Sequence, residues 1–143
     1  MFDLTRAEER CDTLIALARR FGADAADAVA IGDMSEGVQV RLGALEDVER
    51  SESEAAGLRV FVGRRSASIH ASDLSDAALA ELAERAVAMA QAAPEDPYAG
   101  LAPDELLARG PFADLDLEDM SEPSPQHLRA LAEEAEDAAR AVE

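Results

Sequence analysis

Arg59, Arg64 and Arg65 form the one basic island in a chain of 143 residues that carries 13 basic and 31 acidic side chains. A guanidinium presents a rigid fork of donors that matches a carboxylate, so the island is a candidate grip for a carboxylate or for the acidic edge of a partner or peptide. Charge balance against the nearby Glu52 and Glu54 is the plainer reading of the same residues. Tyr98, the only tyrosine, is the other candidate contact. It lies in the turn PEDPYAGL, where its ring is expected to fold back on the preceding helix as an aromatic plug with the hydroxyl wet or singly bonded.

The remaining residue types that do chemistry stand in incomplete sets. His70 falls on the polar side of a strand pattern and His127 in the first turn of a helix, and neither belongs to an H-E-x-x-H zinc pair. Ser66, Ser68 and Ser72 lack the G-x-S-x-G elbow of a nucleophilic serine. The run from Gly57 to Gly63 lacks the Lys-Ser/Thr that completes a phosphate-binding loop. Asp114, Asp116, Glu118 and Asp119 lack the central glycine and closing glutamate of an EF-hand loop, and read as a solvated charge run. Cys11 is the only cysteine, which excludes an intrachain disulfide, and its place on the first helix suits a buried thiol acting as a small hydrophobe. No catalytic, cofactor-binding or metal-ligating residue is therefore expected in this chain.

Composition narrows the partners. The net charge of −18 repels phosphate backbones and anionic lipid, so neither direct nucleic-acid binding nor membrane binding is expected. No run approaches the roughly 18 apolar residues of a membrane span. The start MFDLTRAEER lacks the apolar run of a signal peptide, and a cytoplasmic protein is expected. Apolar residues make up 48% of the chain but aromatics only 3%, so the core must be built from small side chains with helices packed close to what they cover.

The elements that must position these residues follow from period and punctuation. Thr5 and Glu8 have capping-box spacing, and Leu14, Ile15, Leu17, Ala18 and Phe21 give an apolar stripe, so a helix is expected over about residues 6–21, ending at Gly22. From residue 26 to 69 the period falls toward two, with glycines at 32, 37, 43, 57 and 63 marking turns. This predicts four or five antiparallel strands in a meander, with 57–63, the most β-branched run, at the centre. Ser75 caps a second long helix, with Leu74 and Leu79 as its hydrophobic staple. Its apolar face carries Leu79, Leu82, Ala83, Ala86, Met89, Ala90 and Ala93. Pro94 and Pro97 then force an ordered exit over residues 93–100. A short helix is expected over 102–108 and an extended connector over 110–125, with Leu115 and Leu117 pinned to the surface. A last helix follows, capped by Ser124 and opened by Pro125. The fold class is α+β: an antiparallel sheet with two long helices on one face, plus a C-terminal helix. The expected division is a domain over 1–110, an acidic proline-containing connector over 111–123, and over 124–143 the start of a helix leading to a further, C-terminal domain. No helix-stopping residue precedes Glu143.

These pieces, in this order, resemble the N-terminal domain of the PmbA/TldE branch of the TldD/PmbA proteins, also called modulators of DNA gyrase. The resemblance covers nearly the whole chain. Its most specific parts are Val38-Gln39-Val40-Arg41, the run from Gly57 to Gly63, Ser72-Asp73-Leu74-Ser75, and residues 86–101, whose Pro-Glu-Asp-Pro-Tyr turn favours the PmbA/TldE branch over the TldD branch. The resemblance implies a subunit that pairs with a TldD-like protein in a peptidase of small or unfolded peptides. In that family the zinc motif belongs to the C-terminal domain of the TldD-like subunit, so zinc is expected in the partner and no catalytic residue carries over to this chain. The expected role is structural or substrate-channelling, with exposed strand edges available to an extended peptide. The alternative is a non-enzymatic acidic interaction module acting on DNA gyrase. The alanine-rich face of the last helix, with Leu131, is expected to dock the further domain.

Overall fold

The computed structural model describes residues 2–142 except 118, 120 and 122. Glu118, part of the acidic run noted above, lies outside the described residues. The element order is α1 (Leu4–Phe21), β1 (Ala25–Arg41), β2 (Ala44–Val62), β3 (Arg65–Ala71), α2 (Asp76–Ala92), a single 3-10 turn (Asp104–Leu106) and α3 (Pro125–Arg140). The chain forms two compact units, one of residues 1–32 with 53–108 and one of residues 33–52 with 109–143.

The first unit holds the core. β2 is the central strand of a three-stranded sheet ordered β1-β2-β3, and β2 and β3 run antiparallel with Leu58 opposite Ile69 and Val60 opposite Ala67. Alternation along β2 turns Ala56, Leu58 and Val60 inward. They meet Leu14 and Ala18 of α1 and Leu79, Leu82, Ala83, Ala86, Val87 and Ala90 of α2 in one apolar cluster. Seven of the thirteen buried members of that cluster are alanine, so backbones approach closely and large aromatics are unnecessary. α1 and α2 pack against each other, and α2 also packs against β3.

The helix ends follow local rules. α1 starts two residues earlier than the capping box suggests, because the Asp3 side chain accepts a hydrogen bond from the Arg6 amide at 3.1 Å. It ends at Gly22 in the left-handed region, φ 108°, where a residue without Cβ is favoured. Ser75 caps α2 and Ser124 caps α3, each accepting from an amide three residues on. α2 stops at Ala93, which is extended ahead of Pro94. Met89, expected on the buried face, is 44% exposed, and Val87 takes that place instead.

The sheet has three strands, not four or five, because the expected turns at Gly32, Gly37 and Gly57 do not exist. The real turns are at Leu42-Gly43 and Gly63, where φ is positive. Gly32 and Gly57 sit inside strands and serve close approach: a Cβ on Gly32 would strike the Phe2 ring, and one on Gly57 would lie 3.2 Å from a Val29 methyl. Leu115 and Leu117 are not pinned; they are 67% and 85% exposed. The short helix expected over 102–108 is only the one 3-10 turn.

Replacing Leu58, which is 2% exposed, with alanine is expected to cost about 2–5 kcal/mol through lost burial and a residual cavity. Leu117→Ala is expected to change stability by less than about 0.5 kcal/mol. Denaturant unfolding of both variants checks this; equal midpoints would contradict the assigned core.

Candidate functional site

The helices cover one face of the sheet in the first unit and leave the other open. Asp27 and Val29 of β1, Gly57 and Arg59 of β2, and Ser68 and His70 of β3 line a shallow groove there, about 450 Å³ in volume. The register explains the set. Gly57 pairs with His70 and Arg59 with Ser68, so the outward residues of neighbouring strands stand side by side. Gly57 contributes no side chain, and the floor of the groove is the gap between Val29 and His70. Val29 is 52% exposed.

Arg59 is the organising charge. Its Nε donates to Asp27 Oδ1 at 3.0 Å and its Nη2 to Asp27 Oδ2, a two-pronged pair. The guanidinium carbon also lies 5.3 Å from the centroid of the Phe61 ring, within cation–π range. The Asp27 hydrogen bonds hold the guanidinium protonated above its ordinary range. With both side chains nearly half exposed, the pair contributes little to stability, about 0–1 kcal/mol. Both charges remain available to a ligand that can exchange one partner for another.

The other arginines of the island do different work. Arg65 donates through Nη1 to the Gln91 carbonyl at 3.1 Å and pairs with Glu95 at 3.4 Å, which joins the start of β3 to the carbonyl end of α2. The Arg64 carbonyl accepts from the Asp96 amide at 2.7 Å. Of the charge balance expected with Glu52 and Glu54, Glu54 pairs with Arg10 at 2.7 Å, while Arg59 takes Asp27. Tyr98 is not a plug. Its amide donates to Asp96 Oδ1 at 2.9 Å in a local turn, and the residue is 93% exposed. The structure thus brings Arg64, Arg65 and the proline turn together and sets Arg59 apart on the open face. Asp27 was legible only as an acid alternating with Ala26 and Ala28; nothing in the sequence paired it with Arg59.

The open face has no nucleophile held by a base, and among the described residues no three His, Cys, Asp or Glu side chains form a group that could hold a metal ion. The described residues of this face do not fit a zinc site. Cys11, expected to be buried, is only half-buried in the middle of α1, and burial pushes its thiol up, aided by Asp12 and Glu8. What the face can offer is hydrogen bonding, an exchangeable ion pair and apolar contact.

A second feature lies in the other unit. Leu42 and Gly43 both have positive φ, 54° and 73°, as a two-residue hairpin turn of the mirror-image type requires. Their amides donate to Glu136 Oε1 at 2.6 Å and Oε2 at 2.8 Å. Those donors hold the Glu136 carboxyl below the usual carboxylate range, the Gly43 amide most of all. No signal local to either segment joins residues 93 and 94 apart in the chain.

The family profile of PmbA/TldA metallopeptidase domain 1 matches residues 26–90, the span from the start of β1 nearly to the end of α2. This chain is a PmbA/TldD-family N-terminal domain. Metalloprotease PmbA of Escherichia coli O157:H7 is 39% identical to this PmbA-family chain over 102 residues, covering 71% of it and 22% of the relative. The Metalloprotease PmbA homolog of Haemophilus influenzae is 33% identical over 126 residues, covering 87% and 27%. The chain therefore spans about a quarter of the length of these curated relatives. A crystal structure from Bacteroides thetaiotaomicron, named as a candidate modulator of DNA gyrase, superposes with a TM-score of 0.73 at 18% identity, over 79% of this chain and 25% of that one. At that identity the likeness concerns the fold. No helix among the described residues is long and apolar enough to cross a membrane.

Leucine is a poor residue for positive φ, because its Cβ crowds the backbone. Leu42→Asn, which gives the favoured Asn-Gly turn, is expected to stabilise by about 1 kcal/mol. Chemical unfolding checks it; an equal loss of stability would show that the turn is not of this type.

Proposed function

We propose that this domain belongs to a PmbA/TldE-like subunit that works in the cytoplasm with a TldD-like partner, and that its open sheet face guides small or unfolded peptides toward a zinc centre held by that partner. The observation that carries the reading is the uncovered face itself. In a domain of a metallopeptidase family, Val29 and Ile31 stay more than half exposed beside the Asp27–Arg59 pair. β3 lies at the end of the strand order, and an edge strand can take up an extended peptide by main-chain pairing while side-chain contacts set its preference. On this reading Arg59 acts on the peptide through its exchangeable pair with Asp27. Arg64, Arg65 and Tyr98 form a second contact near the proline turn, and the exposed face of α3 around Leu131 docks the remainder of the subunit.

A second reading draws on the net charge of −18 and on the DNA gyrase modulator role for which the similar Bacteroides structure is named. It makes the domain an acidic, non-enzymatic module that binds DNA gyrase.

One experiment separates them. The protein carrying this chain is mixed with and without a TldD-like subunit, and cleavage of an unfolded peptide is measured with and without a chelator. Chelator-sensitive cleavage only in the mixture is expected, slowed several-fold by Arg59→Ala. Absence of cleavage in every combination, with direct capture of gyrase by the folded protein, would overturn the peptidase reading in favour of the second.

A further inference from the structure

A hairpin closed by two residues leaves the amides of those residues outside the strand ladder, whose last pair is the flanking one. Here both amides meet a single carboxylate. Successive left-handed residues direct their N–H groups the same way and form a small concave anion site, and the two oxygens of Glu136 fill it at 2.6 and 2.8 Å. We propose that the Leu42-Gly43 turn is a carboxylate-binding site whose resident occupant is Glu136, and that a peptide carboxylate takes that place and frees α3 from the turn.

Three observations point to an exchangeable occupant. The turn is open, with Leu42 72% exposed. α3 buries none of its residues, so apolar packing adds little to the grip of Glu136. A positive group also stands beside the turn in a strongly acidic chain: Arg41 precedes it directly, in a loose and exposed pair with Glu46 at 3.4 Å. The advantage of Glu136 is tethering, which supplies an effective concentration in the millimolar range for a flexible connection. A peptide carboxylate competes in the same range and gains further from contact with exposed Leu42 and Leu45. The occupant is a carboxylate of a peptide, at its C-terminus or on a glutamate side chain.

The test uses protein labelled with nitrogen-15 at leucine and glycine, and the probes are a short peptide with a free C-terminal carboxylate, its amidated twin, and an amidated twin carrying one glutamate. In E136A the Leu42 and Gly43 amide protons are expected to move upfield as the charged acceptor is lost, while the Leu14 and Leu58 signals in the core stay in place. The free-acid peptide is expected to shift both amides back downfield at millimolar concentration, and the fully amidated peptide is not. Comparing the two carboxylate peptides tells which source is preferred. E136Q, which keeps the shape, is expected to move the same amides less than E136A. Unmoved Leu42 and Gly43 signals in E136A, or equal effects of the acid and amidated peptides, would overturn the proposal. The peptidase reading is judged separately, because these two amides report on this protein alone and the cleavage assay on the mixture.

Discussion

The period of two along β2 is the constraint from which the first unit is built. It sends Ala56, Leu58 and Val60 to one side and Gly57 and Arg59 to the other, so a single strand decides both where the helices pack and what is left uncovered. A slip of one residue would place Arg59 beneath α2 and expose Leu58. The alanines of α2 are matched to this strand, since a face of Ala83, Ala86 and Ala90 lets the helix lie close on branched side chains that would otherwise leave voids. The low aromatic content and the close helix layer are thus one design choice. The polar face is its necessary counterpart.

The two units are stabilised by different physics. In the first, burial dominates, with Leu14, Leu58, Leu79 and Val60 almost wholly removed from water. In the second, no described residue of the hairpin segment 33–52 or of α3 is buried. Order there rests on polar contacts: Glu136 on the turn amides, Arg50 with Glu36 at 2.8 Å, and Ser124 on the first turn of α3. Exposed polar contacts of this kind contribute far less than a packed core and exchange readily with water or ligands. A unit held in this way suits contact that must be made and released.

Helices and their stops were legible in the sequence because caps, prolines and apolar spacing are local signals. Ser75, Ser124, Pro94 and Gly22 all act where their chemistry predicts. The strand count was not, because glycine has two uses that look alike in a sequence. At Gly43 and Gly63 it permits positive φ, whereas at Gly32 and Gly57 it admits a neighbouring side chain, and only the three-dimensional neighbour distinguishes the cases. Leu42 was a further disguise, since leucine seldom occupies a left-handed position. The polar face of β3 was readable from Ser66, Ser68 and His70. Its partners Asp27 and Arg59 were not, because their pairing depends on strand order rather than on spacing. Tyr98 shows the opposite error: an aromatic between prolines invites a packing role, yet the turn is held by the Asp96 side chain and leaves the ring outside.

The account stands or falls on whether peptide lies on the open face of the sheet. The most direct measurement places a photo-crosslinking amino acid at Ser68, in the groove beside Arg59, and separately at Glu84, exposed on α2, and maps the adducts formed with an unfolded peptide in the presence of a TldD-like subunit. Adducts from position 68 with none from position 84, reduced by excess unlabelled peptide, are the result the account predicts. Equal labelling at both positions, or labelling at 84 alone, would contradict it.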